Sequence, residues 1–142
     1  MFDIISGTRR FKLAPYERLP TPEEPLYDWI KVWVEFLLPG LNTAFSASFT
    51  IVELRRLKDR LQTLYESILH QKKSHAVFFN SRENQVILEF HKTEFGEAVV
   101  VNLLLRPEDN ADSAEVKDFF CIDESYFPAL LSGLDEMINW PE

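Results

Sequence analysis

Apolar and polar residues alternate with period two over much of this chain, most cleanly from Asp28 to Leu37. There Ile30, Val32, Val34 and Phe36 fall on one side, and Trp29, Lys31, Trp33 and Glu35 on the other. Successive strand side chains point to opposite faces, so the segment predicts a strand with one wholly apolar face. Pro39-Gly40 marks a turn, and Phe45, Ala47 and Phe49 alternate again over 43–50, which predicts an antiparallel hairpin. An earlier strand is expected over 10–19. Between the first two strands, Pro20, Pro22 and Pro25 cannot donate a backbone hydrogen bond, so 20–25 reads as an exposed loop. Residues 1–9 read as a loose lead-in.

The period then changes. Leu54, Leu57, Leu61, Leu64 and Ile68 recur at steps of three and four, one face of an amphipathic helix over 51–70. Thr50 and Glu53 have the spacing of a capping box at its start, and Lys72 and Lys73 suit its negative end. Strand patterns return over 75–80, 85–92, 97–105 and 114–122, with Val86, Leu88 and Phe90 inward on the second of these. Turns are expected at 81–84 and around Gly96, and a loop over 107–113. A second helix is predicted over 125–139, with Phe127, Leu130, Leu131, Leu134, Met137 and Ile138 inward. Pro128 fits there because it falls in the first turn. The order is βββαββββα. Short connections predict antiparallel pairing. The simplest solution is one α+β domain over 1–142: an antiparallel sheet of about six to seven strands with two helices packed on one face.

Composition narrows the class. With 12 Phe and 3 Trp but only 4 Gly, the chain is that of a packed globular protein and not of a disordered one. The single cysteine, Cys121, excludes an internal disulfide and a Cys-based zinc site. It lies in the run Phe119-Phe120-Cys121-Ile122, which predicts a buried small hydrophobe. No signal peptide and no apolar stretch long enough to span a membrane is visible, so the cytoplasm is the expected compartment.

The charge is uneven. The net charge is −8, yet residues 107–142 hold ten acids against one base, Lys117, while residues 1–106 hold 13 acids against 14 bases. A one-signed surface attracts a partner of opposite sign and repels nucleic acid. Solubility is the competing explanation. The acids taken as partner-binding are Asp109, Asp112, Glu115 and Asp118. Asp123 is set aside because it or Ser125 can cap the final helix. Trp29 and Trp33 share a strand face. Either a loop or the N-terminal segment covers them, or they anchor a protein interface, where Trp is enriched. Arg55, Arg56, Lys58 and Arg60 read as a solvated helix surface; a nucleic-acid role is the weaker alternative, since aromatic stacking residues do not interleave with them.

Catalytic signatures are missing. There is no Gly-rich phosphate loop, no GxSxG elbow and no HExxH. His70, His75 and His91 have no metal-ligand spacing, and the apolar neighbours of Cys121 would blunt it as a nucleophile. Glu89 and His91 share an outward strand face, and Glu83 and Glu94 lie elsewhere on the same hairpin. No catalytic residue, metal ligand or cofactor is assigned, and an enzyme is not expected.

Four stretches resemble the WapI-type bacterial immunity proteins, small cytoplasmic antidotes to contact-delivered toxins. They are the Tyr16 segment with its Pro-rich loop and Tyr27-Asp28-Trp29-Ile30-Lys31-Val32; Phe49-Thr50-Ile51-Val52-Glu53-Leu54 with the leucine helix; Ala76-Val77-Phe78-Phe79 followed by Val86-Ile87-Leu88-Glu89-Phe90; and Phe120-Cys121-Ile122-Asp123-Glu124-Ser125-Tyr126-Phe127. The resemblance covers about residues 10–139. Its motifs are structural. It implies a binding protein, without cofactor, that neutralises a toxin encoded beside it. The expected partner is then a basic toxin domain, often a nuclease, whose cleft the acidic surface occludes; neither nucleic acid nor a membrane is expected as a partner. Two other assignments stay open: a small-molecule-binding or enzymatic α+β domain with a pocket between sheet and helices, and, more weakly, a structural partner protein with no toxin.

Overall fold

The structure, a computed structural model, describes residues 1–93 and 98–141. Four strands come first: β1 (Phe2–Ser6), β2 (Arg9–Leu19), β3 (Trp29–Leu38) and β4 (Leu41–Thr50). Helix α1 (Ile51–Leu69) follows. Four more strands, β5 (Val77–Asn80), β6 (Val86–Lys92), β7 (Val99–Leu105) and β8 (Val116–Ile122), lead to α2 (Phe127–Ile138). The turn expected around Gly96, the strand start at Glu97 and Glu94 lie outside the described residues.

The strands form two antiparallel four-stranded sheets, β1-β2-β3-β4 and β5-β6-β7-β8, and not one sheet of six to seven strands. Each sheet is a meander closed by a helix. Alternation tells which face of a strand is buried but not which strand it pairs with. Here α1 stands between β4 and β5, and no ladder joins those two strands. The lead-in is corrected too. Phe2 and Ile4 alternate inward on β1, opposite Leu13 and Phe11, and both are fully buried. The Phe2 and Phe11 rings meet edge to face at 6.3 Å. Gly7, at φ +58°, makes the β1–β2 turn, and Gly40, at φ +84°, the β3–β4 turn.

All ten elements contribute to one buried cluster. It contains the expected inner residues of β3 together with the α1 stripe, with Leu57 and Leu61 among them. The two sheets touch directly where the ring of Phe49 on β4 meets that of Phe79 on β5, 5.3 Å apart and nearly perpendicular. Helix α1 packs on α2 and beside β5, and α2 packs beside β1. Tyr65 of α1 stacks on Phe127 of α2 at 5.4 Å.

Local chemistry starts each helix. The Glu53 N–H donates to Thr50 Oγ1 at 3.3 Å, and Glu53 Oε2 accepts from the Thr50 N–H at 2.7 Å, so the capping box is complete. Glu53 Oε1 also accepts from the Arg82 N–H at 2.8 Å, which ties the α1 start to the β5–β6 turn. Asp123 accepts from the Ser125 N–H at 2.9 Å and caps the 3-10 turn Glu124–Tyr126 that leads into α2. The far edges of the sheets meet at a seam: Ser6 Oγ donates to the Cys121 carbonyl at 2.7 Å, and Tyr126 Oη to the Ile5 carbonyl at 2.8 Å.

Candidate partner-binding surfaces

Four of the ten acids of 107–142, Glu108, Asp109, Asp112 and Glu115, lie in or beside the β7–β8 loop at one end of the second sheet, and the other six are spread over β8, α2 and the segments that flank them. The β5–β6 turn and the β7–β8 loop lie at that end, and a hollow of about 410 Å³ opens there, lined by Glu83, Glu108, Asp109 and Glu115 with Arg106 the one base. Arg106 donates to Glu115 at 3.0 Å and to the Asn84 carbonyl at 3.2 Å, so it neutralises one acid and clips the loop to the turn. Asp109 and Asp112 are exposed, and among the described residues neither is in an ion pair. Asp118 differs. Its side chain is only 16% exposed and accepts from Arg9 Nε at 2.9 Å, a bond from β8 to β2 across the seam.

Trp29 and Trp33 lie on the other sheet, so the six expected residues do not form one patch. Trp33 is 42% exposed between Ala14 and Ser46, and nothing in the described chain closes over it. Tyr16, at the bulge in β2, reaches across β3 to Ser46 at 2.6 Å beside it. Trp29 is half-buried beside Leu19 and Thr50.

A third feature went unassigned in the sequence. On the outer face of the second sheet one rung runs Phe78, Glu89, Asn102, Phe119 across β5, β6, β7 and β8. Phe78 is 58% exposed and Phe119 65%. Between the rings, Glu89 Oε1 accepts from Asn102 Nδ2 at 3.1 Å and lies 3.1 Å from His91 Nδ1. A hollow of about 520 Å³ opens over this rung and also reaches Lys117 and Asp118. The signal was the alternation itself: with Val77 and Phe79 inward, Phe78 must face out.

The same rule corrects Cys121. Phe120 and Ile122 take the inner positions of β8, so the thiol is exposed and not a buried hydrophobe. The rung His91–Val100–Cys121 leaves a strand between thiol and imidazole, and the His91 ring nitrogen Nδ1 is hydrogen-bonded to Glu89 instead. Among the described residues, no group of three or more His, Cys, Asp or Glu side chains stands where it could hold a metal ion, and no helix is long and apolar enough to cross a membrane.

The model of the Immunity protein WapI-like family matches residues 1–142. The chain belongs to that family. Immunity proteins in general neutralise a toxin. No curated protein matches the sequence. In fold the chain is similar to the plant transcriptional regulator PBF-2, at 14% identity over 98% of this chain and 80% of that one, with a TM-score of 0.50. WHY3 and WHY1 from Arabidopsis thaliana align at 11% and 12% identity over 97% and 99% of this chain and 88% of each of theirs, with TM-scores of 0.46 and 0.45. At such identities the similarity is one of fold. The family motifs are joints: Asp28 holds Arg18 and the Thr21 N–H, and Glu53 caps α1 and holds Arg82.

Proposed function

We propose that this immunity protein binds a basic toxin domain and occludes its active cleft. It engages the toxin with the loop over 107–115 and the open face of β5–β8 that the loop borders. The observation that carries the proposal is a cluster of four acids from the C-terminal charge excess, one of them paired with Arg106. Glu108, Asp109, Asp112 and Glu115 stand together at the end of a sheet whose outer face shows two bare phenylalanines. Rim acids raise the association rate with a cationic partner, and exposed aromatics supply the contact that slows release. A nuclease is the toxin class such an acidic surface suits best, because it stands in for the polyanion. Trp33 with Tyr16 offers a second contact region on the other sheet.

A small-molecule function has one candidate place, an open hollow of about 560 Å³ between α1 and the segment entering β5, lined by Asp59, Arg60, Glu66, His70 and His75 among others; the core itself is a continuous cluster of buried side chains. Catalysis is not proposed. The test is titration of the purified protein with the toxin domain encoded beside its gene, over a salt series, together with protection of cells producing that toxin. A stoichiometric complex that weakens with salt and protects cells supports the assignment. A toxin that kills equally with and without the protein, and does not bind it, refutes it.

A further inference from the structure

Resting on that assignment of the second sheet, we propose that the rung between Phe78 and Phe119 receives an arginine side chain of the protein partner, bonded to Glu89 and Asn102. The edge strands supply the rings and the central strands the polar floor. Three strand spacings separate the two phenylalanines, about 14 Å. That leaves room between the rings for a side chain with flanking residues, in a hollow of about 520 Å³.

The floor is an acceptor pair. A carboxylate can only accept, so the Asn102 amide turns its Nδ2 to Glu89 and its Oδ1 away. Glu89 Oε1 is held from two sides, by Asn102 and His91. Among the described residues, Glu89 Oε2 and Asn102 Oδ1 take no hydrogen bond. Two neighbouring acceptors suit a donor with several N–H groups in a plane. A guanidinium has that fork, and its faces also pack on aromatic rings, which a compact ammonium does less well.

Charge complementarity favours a cation. The Glu89 side chain is only 31% exposed, so its field is screened less than that of the loop acids. Asp118 is already paired with Arg9. A purely apolar occupant would strip water from the carboxylate and return nothing, and an anionic one would be repelled. Lys117, on the next rung, opposes a cation, and that opposition gives the test its sign.

The probe is a short peptide with blocked ends, Ala-Leu-Arg-Leu-Ala, titrated into the isotope-labelled full chain and followed by NMR. Matched peptides carry Lys, Ala or Glu at the centre. We expect the arginine peptide to shift the signals of Phe78, Glu89, Asn102 and Phe119 and to bind most tightly of the four. Glu89→Gln should weaken it about tenfold or more, the loss of a hydrogen bond to a charged group. Lys117→Ala should strengthen it about twofold. The proposal is overturned if the glutamate peptide binds as well, if Lys117→Ala weakens binding, or if the shifts map to the acidic loop alone. Saturable binding of a single-stranded oligonucleotide at the rung, or self-association that buries it, also overturns it. The two assignments fail separately. A toxin bound with parental affinity by Glu89→Gln refutes the arginine contact and leaves the antidote role standing. A parent protein that binds no toxin refutes that role.

Discussion

Arg18 on β2 closes on Asp28 at 2.9 Å, and the same guanidinium donates to the carbonyls of Ile138 and Trp140 at 3.2 and 3.0 Å. One side chain therefore joins the Pro-rich loop to the C-terminal end of α2, where unpaired carbonyls and the negative end of the helix favour a cation. Asp28 is the counterpart that makes the position tolerable, and it is itself almost fully buried. Its carboxyl titrates below the ordinary aspartate value, first because the Thr21 N–H donates to it at 2.6 Å and then because of Arg18, while burial acts the other way.

The sign of the pH effect follows. A carboxyl with a folded pKa below its unfolded value stabilises the fold above the unfolded value, and the contribution disappears as pH falls through the folded value. Stability should therefore drop on acidification below about pH 4, the ordinary aspartate range. Asp28→Asn should lower the urea midpoint at neutral pH and flatten the acid limb. If parent and variant lose stability in parallel below that pH, Asp28 does not hold the joint.

Gly133 tests how closely α2 rides on β1. A Cβ at this position would lie 2.2 Å from the Met1 carbonyl oxygen and 3.1 Å from the Phe2 Cα, both backbone atoms. In an open helix the change to alanine gains up to about 1 kcal/mol. Here the clash decides, since overpacking costs roughly 1–3 kcal/mol and Phe2 is locked in the core. Gly133→Ala should lower the thermal midpoint. A rise would mean that β1 yields freely.

The α1 stripe carries the core prediction. Leu57 and Leu61 are buried against both sheets' shared interior. Leu61→Ala should cost about 2–5 kcal/mol in urea unfolding, from lost burial and the cavity left behind. A loss below 1 kcal/mol, on the order of a surface change, would show that the site collapses around the gap.

Much of this architecture was written in local pattern. The capping box at Thr50 and Glu53, the α1 leucines and the alternation of β3 each follow from neighbours within a few positions. Pairing between elements did not. Nothing in the residues around α1 says whether β4 and β5 share a ladder, because that depends on where the helix delivers the chain. β1 gives little local signal, because only Phe2 and Ile4 carry its alternation before Gly7 turns the chain. Phe78 and Phe119 were hidden in a different way. Phe119-Phe120-Cys121-Ile122 reads as a continuous apolar run, the signature of a strand buried on both faces, and Phe78 sits inside the apolar stretch 76–79. Here both strands are sheet edges with one solvent face, so every second residue of the run is exposed. The charge excess was plain in composition, but the pairing of Asp118 with Arg9 and of Glu115 with Arg106 needed partners 109 and nine residues away.

Those pairings sharpen the prediction about association. Reversing all four of Asp109, Asp112, Glu115 and Asp118 to lysine would mix two effects. Glu115→Lys gives up an exposed pair, worth roughly 0–1 kcal/mol. Asp118→Lys puts a second cation beside Arg9 at a position mostly shielded from water, so it should also loosen the seam between the sheets. Asp109→Lys with Asp112→Lys is the clean variant, since both are exposed and stability should move by about 0.5 kcal/mol or less. This double variant should slow stopped-flow association with the toxin domain about tenfold at low salt and flatten the salt dependence, while the dissociation rate changes little. Glu89→Gln should do the reverse, raising dissociation with association nearly unchanged. If the double variant associates as fast as the parent at low salt and still protects cells, the loop acids serve solubility, and recognition rests on the aromatic face alone.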